Sequence, residues 1–443
     1  MKTFRIIWLG QLLSLLGSGL NAFALGVWVY QQTGSTTRFA LVLFSGSLPG
    51  VLLLPVAGLL ADRWDRRLTM ILSDAGAGLG ALALALMFSF GHVSIGWIYL
   101  LLIFSSSLAT FQRPAYSAAV GQFVSKDDLT RANGMVRTAQ AVAQLFAPLL
   151  AGLLLSFLSI GTILFLDVAS FGAALATLLA VRFPEMPRGE PQTGGAASWR
   201  REIAQGFSYI GARQGLLSLM VFFAVLNFAG SCANALVQPL ILSFASPRAL
   251  GIMLTTAGIG LLAGSVLMSV WGGPRRRVLG IFGFMPLAGL GILLAGLRPS
   301  IPVVVAGLIL AFFALPFIEG STTAIVQSKV DPRVQGRVFA VTHVIASGLA
   351  PIAYVIAGFL SDRVFEPLMA PGGALAPVFG PVLGVGKGRG MGLILLLVGV
   401  VLLLTTAAGA MLPRLRNVED DLPDAMPETS SPLPLPVDGL ELT

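Results

Sequence analysis

Four hundred and forty-three residues carry 56% apolar and only 11% charged side chains, with a mean hydropathy of +0.87. A soluble domain has about 25% charged residues, so most of this surface must face lipid. The net charge of +8 and pI near 10.2 come as short basic clusters between long uncharged runs, the layout of membrane loops rather than of a nucleic-acid footprint.

A helix crosses a bilayer with about 20 apolar residues, and such runs fall at roughly 5–30, 40–62, 68–91, 95–118, 136–159, 161–182, 214–243, 249–271, 277–297, 301–327, 337–361 and 390–412. The pattern predicts an all-α integral membrane protein with twelve transmembrane helices. The first run lacks a small-residue cleavage site and leads directly into further spans, so it reads as a span and not a leader. With the N-terminus inside, 22 of the 28 basic residues lie on one side, leaving Arg38, Arg248, Arg298, Arg363, Lys387 and Arg389 on the other. The positive-inside rule then expects both termini in the cytoplasm.

In chain order, span one carries Gln11, Ser14, Ser18 and Asn21 at steps of 3, 4 and 3, one stripe of a helix. Asp74 and Arg113, near the inner ends of spans three and four, read as an interfacial charge network. Gln140 and Gln144 share a face of span five. Asp167 lies about 9 Å below the outer edge of span six at 1.5 Å per residue. Between spans six and seven, 183–213 opens with prolines and then sets Trp199, Ile203, Phe207 and Ile210 at steps of 4, 4 and 3. That spacing fits an amphipathic interfacial helix, and the segment fits a simple linker equally well. Span seven carries Asn227, Ser231, Asn234 and Gln238, span ten Glu319 about 12 Å from its inner end, and span eleven His343. The outer loop 362–389 contains Gly384-Val385-Gly386-Lys387-Gly388, which fails the phosphate-loop spacing, so no ATP site is expected. After Arg416 the chain is acidic and rich in proline, a composition that predicts disorder.

Polar groups inside a membrane are costly and informative. The stripes on spans one and seven fit two readings, the lining of a wet cavity or hydrogen-bonded glue between helices; Gln140 and Gln144 join whichever holds. A deep carboxyl such as Glu319 or Asp167 can exchange a proton, pair with an arginine or cap a broken helix. His343 is a further titratable candidate or a satisfied core residue. Two histidines and one cysteine, Cys232, leave no metal cluster and no disulfide framework. The halves echo each other. Ser14, Ser18 and Asn21 recur in spacing as Asn227, Ser231 and Asn234 after 213 residues, Ala147-Pro148 as Ala350-Pro351 after 203, and Arg66-Arg67 as Arg276-Arg277 after 210. Such duplication builds many secondary transporters. The expected organisation is a six-helix bundle at 1–182, a linker at 183–213, a second bundle at 214–412 and a disordered tail at 413–443.

The turn after span two reads Gly58-Leu59-Leu60-Ala61-Asp62-Arg63-Trp64-Asp65-Arg66-Arg67. It resembles the signature loop of the major facilitator superfamily, with Asp65 where that pattern has glycine. The resemblance implies two pseudo-symmetric six-helix bundles and a cytoplasmic gate at Gly58, Asp62, Arg63, Arg66 and Arg67, with Asp62 facing the start of span eleven. Span five, with Gly134, Ala143, Ala147, Pro148, Ala151 and Gly152, is similar to the antiporter motif of the superfamily's drug exporters, with alanine at several glycine positions. Small-residue packing alone produces a similar pattern. Gly10-Gln11, Gly17-Ser18-Gly19, Arg131-Ala132-Asn133, Gln335-Gly336-Arg337-Val338-Phe339, Gly386–Gly390 and Val418–Asp424 look like the macrolide- and siderophore-exporter branch.

The resemblance implies a secondary transporter in a bacterial-type cytoplasmic membrane that exports an amphiphilic small organic molecule (a drug, macrolide, siderophore or peptide natural product) by alternating access and proton antiport. An importer or facilitator, or a lysophospholipid flippase, of the same fold competes with it. A membrane-embedded enzyme does not fit a chain without histidine or carboxylate clusters. The expected partners are the solute, protons and the bilayer, with no cofactor, metal, ATP or nucleic acid, and a carrier of this size works as a monomer.

Overall fold

The computed structural model describes residues 1–181, 183, 205, 207–330, 338, 341–342, 344–345 and 348–421, without the side chains of 55, 58–63 and 421. Twelve helices organise it: α1 (Lys2–Thr33), α2 (Thr36–Arg63), α3 (Arg66–Ser89), α4 (Ile95–Phe123), α5 (Leu129–Leu154), α6 (Ile160–Ala180), α7 (Gln214–Leu242), α8 (Pro247–Trp271), α9 (Arg277–Leu297), α10 (Ile301–Lys329), α11 (Ala350–Leu360) and α12 (Arg389–Met411). No strand occurs among the described residues. Ten of the helices are long and apolar enough to cross a membrane. The exceptions are α11, of which 11 residues are described, and α5, whose first sixteen residues carry Arg131, Arg137, Gln140 and Gln144. Exposed leucines and valines such as Leu79, Val266, Val270 and Leu404 cover the outside, a surface only lipid tolerates.

Local chemistry sets the helix ends. Gly34 adopts the left-handed conformation that ends α1, φ 62°, and its N–H donates to the Tyr30 carbonyl. Ser159 caps α6 by accepting from Thr162 N–H, and Ser246 caps α8 ahead of Pro247 at its first turn. Asp65 accepts from Leu68 N–H at 2.7 Å and caps α3. That N-cap is a use for the aspartate that replaces the glycine of the loop pattern.

Packing repeats with a period of six helices. In the first half α1 packs on α5 and α6, α2 on α4, and α3 on α4 and α6; in the second α7 packs on α11 and α12, α8 on α10, and α9 on α10 and α12. Two seams join the halves, α5 against α8 and α2 against α11, and these too are counterparts. Both close at the end expected outside, here the outer end. A Cβ on Gly152 would lie 2.7 Å from the Pro247 carbonyl, one on Gly251 would run into the Pro148 carbonyl, and one on Gly358 would lie 2.8 Å from Thr37 Cα. Only glycine permits such backbone approach.

The tail differs from expectation at its start. Pro413–Arg416 and Val418–Asp421 are helical, and Glu419 accepts from Arg277 N–H at 3.1 Å and Val278 N–H at 2.9 Å, capping α9. Proline is tolerated at a first helical turn, which is where Pro413 sits. Residues 422–443 lie outside the described residues. So do Trp199 and Ile203 of the linker; of the same apolar set, Phe207 is exposed and Ile210 buried.

Candidate functional site

A cavity of about 250 Å³ lies at the junction of α1, α2, α5 and α7. Its walls are mostly apolar, with Leu15, Phe23, Phe39, Leu43 and Pro148 among them, and two amides, Gln144 and Gln238, supply the polar contacts. Ala143 and Ala147 of the span-five motif also line it, and their small side chains create the space. A Cβ on Gly19 would lie 2.6 Å from that of Ala147, so α1 and α5 meet closely beside the cavity.

The stripe on α1 points elsewhere. Asn21 donates to Asp167 on α6 at 2.6 Å, and Ser18 and Ser170 donate to the same carboxylate at 3.4 Å. Gln11 donates to Asp74 on α3 at 3.0 Å and accepts from Gln112 on α4. Ser14 is buried on the same face. Gln11, Ser18 and Asn21 therefore bind two buried carboxylates, 1% exposed at Asp167 and 3% at Asp74, and it is the Leu15, Gly19 and Ala22 side of α1 that meets the cavity. Asn21 Oδ1 is buried and without a partner. A protonated Asp167 would supply the missing donor to that oxygen if the amide turned over.

On α7, Gln238 reaches the cavity, Ser231 is half-buried, Asn234 is exposed, and Asn227 donates to the Phe223 carbonyl at 2.9 Å. Gln140 on α5 is exposed, as is Gln144. Glu319 and Arg113 are both exposed, 206 residues apart. The same interval separates Ala118 from Ala324, whose carbonyls accept from Arg66 at 3.0 Å and Arg277 at 2.8 Å. Arg113 and Glu319 thus occupy matching places on α4 and α10. His343 lies outside the described residues.

Of the gate residues, the side chains of Gly58, Asp62 and Arg63 lie outside the described set. Arg66 is bonded to α4 as above, and Arg67 donates to the Leu178 and Leu179 carbonyls of α6 at 3.3 and 3.0 Å. In span five, Gly134 has open space around it, Ala151 is fully buried and Gly152 meets α8. Asp74 is the buried carboxylate that a count of span ends misplaces; the small residues Ser73, Ala77 and Gly80 around it are the signal that its face is packed.

With twelve helices, a six-helix packing repeat and a cavity between halves in place, sequence relationships decide the family. The family model for the Major Facilitator Superfamily matches residues 7–355. The chain belongs to the major facilitator superfamily. It is 27% identical over 366 residues to macrolide efflux protein A of Streptococcus pyogenes, covering 82% of this chain and 90% of that protein. It is 27% identical over 302 residues to the enterobactin exporter EntS of Shigella flexneri, covering 65% and 71%. Among solved structures it is similar to a bacterial homologue of the human lysosomal transporter Spinster, in an inward-facing and unoccupied conformation, with TM-score 0.71, 15% identity and coverage of 95% and 98%. The nucleoside transporter NupG gives TM-score 0.71 at 15% identity, over 92% and 99%. Family and fold are those of a multi-pass membrane transporter.

Proposed function

We propose that the protein is a secondary exporter that carries amphiphilic organic molecules out of the cytoplasm in exchange for protons, by alternating access. The carrying observation is the apolar cavity at the junction of the halves, lined next to the glycine contacts of both seams and supplied with only two amides. Such a lining suits a large, weakly polar solute that is held by area and oriented by one or two hydrogen bonds. The names of the efflux relatives support the direction of transport. The basic-residue asymmetry of the loops supports a cytoplasmic inner end and both termini inside.

Asp167 is the favoured proton carrier. Its partner Asn21 has an idle acceptor that a protonated carboxyl would fill, so proton uptake rearranges the α1–α6 contact directly behind the cavity wall. Glu319, whose counterpart on α4 is Arg113, is the second candidate.

The test is accumulation of macrolides, siderophores and cationic dyes in cells with and without the protein, each with and without an uncoupler. Lowered accumulation that the uncoupler restores supports proton-driven export. Asp167→Asn should abolish the uncoupler-sensitive part, and Glu319→Gln should change its pH dependence. Export indifferent to both substitutions would remove the coupling assignment. Raised accumulation, or movement of lysophospholipid alone, would replace the reading with an importer or a flippase.

A further inference from the structure

The first turn of α2 is capped from two directions. Ser35 is its N-cap residue, and the Ser35 hydroxyl accepts from Arg38 N–H at 3.1 Å. A capping box would place Glu or Gln three residues after Ser35; Arg38 stands there instead. The Ser35 N–H is taken by Thr33 Oγ1 at 3.1 Å, and a carboxylate for the next two N–H groups comes from the other half of the molecule, 326 residues from Thr36. Asp362 accepts from Thr36 N–H and Thr37 N–H, each at 2.9 Å, and from the Ser35 hydroxyl at 2.6 Å. Ser361 donates to the Thr36 hydroxyl at 3.3 Å, and both of those residues are buried. Two free N–H groups and the positive end of a 28-residue helix thus meet one anion.

The arm that carries Asp362 is anchored separately. A π-helical turn, Ser361–Phe365, follows α11, and such turns concentrate at functional sites. One turn further, Glu366 accepts from Gly388 N–H at 3.0 Å and Met391 N–H at 3.1 Å. It thereby occupies the glycine-rich loop at the start of α12 with the protein's own carboxylate. Lys387, in that loop, lies 5.7 Å over the Tyr30 ring of α1, a second contact between the halves at the same end. Glu366 holds the arm to its own half; Asp362 is the part that reaches across.

We propose that Asp362 is the outer latch of the transport cycle: it holds the start of α2 against the end of α11 while the outer end is shut, and it lets go when that end opens. The assignment rests on the alternating-access reading above. Opening the outer end must part Gly358 from Thr37 and Ala40, and the three bonds to Asp362 lie in the path of that separation.

The experiment uses the full chain in lipid nanodiscs, with Cys232→Ser to remove the native thiol. Nitroxide labels at His92→Cys and Val378→Cys, exposed residues on outer loops of the two halves, report the outer end, and Asp127→Cys with Arg275→Cys report the inner end. Pulsed electron resonance gives both distance distributions. Asp362→Ala should raise the long-distance outer population about tenfold, the scale of losing hydrogen bonds to a charged acceptor, and shorten the inner distances. Ser35→Ala, which removes one donor to Asp362 along with the acceptor for Arg38 N–H and leaves the fold's charges alone, should move the outer pair in the same direction by less. Should Asp362→Ala not fold, Asp362→Asn and Ser35→Ala carry the test. A parent with two populations that neither substitution moves overturns the latch alone. A parent with one fixed distance at both ends, in every lipid and pH tried, overturns alternating access and the latch with it.

Discussion

The two seams that join the halves are counterparts in the helix order, yet they are built from different chemistry. Between α5 and α8 the contact is backbone on backbone, Gly152 and Pro148 against Gly251 and Pro247, with one neutral hydrogen bond from Thr255 to the Leu145 carbonyl at 3.0 Å. Between α2 and α11 a similar glycine contact at Gly358 is finished by the Asp362 carboxylate and its three donors. The first seam depends on shape, the second on shape and charge. A shape seam opens at the cost of lost packing alone, whereas a charged one also requires water to rehydrate an anion and two amides. The pair therefore gives the carrier one seam insensitive to ionic conditions and one that is not.

Replacing Gly251 with leucine should break the comparison most severely. Its side chain has nowhere to go but the α5 backbone, beyond the about 1–3 kcal/mol usual for overpacking. Transport should fall to background, and the outer spin-label pair should lengthen whatever the state of Asp362. Gly358→Leu should do the same to the other seam, about tenfold in the outer-closed population, because a side chain there would meet the Thr37 Cα and the Thr36 carbonyl as well as Ala40, at contacts of 2.8–3.1 Å.

Acid should separate the seams. Burial raises the Asp362 pKa, but the bonds from Ser35, Thr37 and Thr36 outweigh it and hold the carboxyl below its ordinary value while the outer end is shut. The resulting stabilisation is complete above the ordinary carboxylate value of about 3.9 and is lost as pH falls through the lowered one. Between pH 7 and 5 the outer distances should not change; they should lengthen only in stronger acid. Glu366, which burial raises and whose carboxyl feels the charge of Asp362, titrates first and should leave the outer pair in place. The α5–α8 seam has no titratable group in the contacts above and should show no response at Thr255. The smallest effect is Thr255→Val, which removes a single interhelical bond of about 0.6 kcal/mol and should shift the outer population two- to threefold.

How much of this is written locally in the chain differs by scale. The runs of apolar residues mark the spans because lipid allows few charges anywhere along a helix. Asp167 stands out for the same reason, being an acid in an otherwise uncharged span. The direction of the α1 stripe is not legible: its spacing fixes a face of α1, but which helix covers that face is a tertiary fact, and α6 and α3 cover it with Asp167 and Asp74. Equal spacing on α7 leads elsewhere, to an exposed Asn234 and a cavity-lining Gln238. The Asp362 contact is the least legible feature, since Ser35, Thr36 and Thr37 read as an ordinary helix start and nothing near them in sequence announces a partner more than three hundred residues away.

The π-turn at Ser361–Phe365 has a consequence for which changes this chain can absorb. One residue added or removed in a helical turn rotates everything beyond it by about 100°. Side-chain exchanges across most of the loop 366–388 leave the aim of Asp362 alone, whereas a single-codon insertion or deletion between Gly358 and Asp362 would swing the carboxylate away from α2. Length, more than identity, is the quantity that mutation must preserve at this spot.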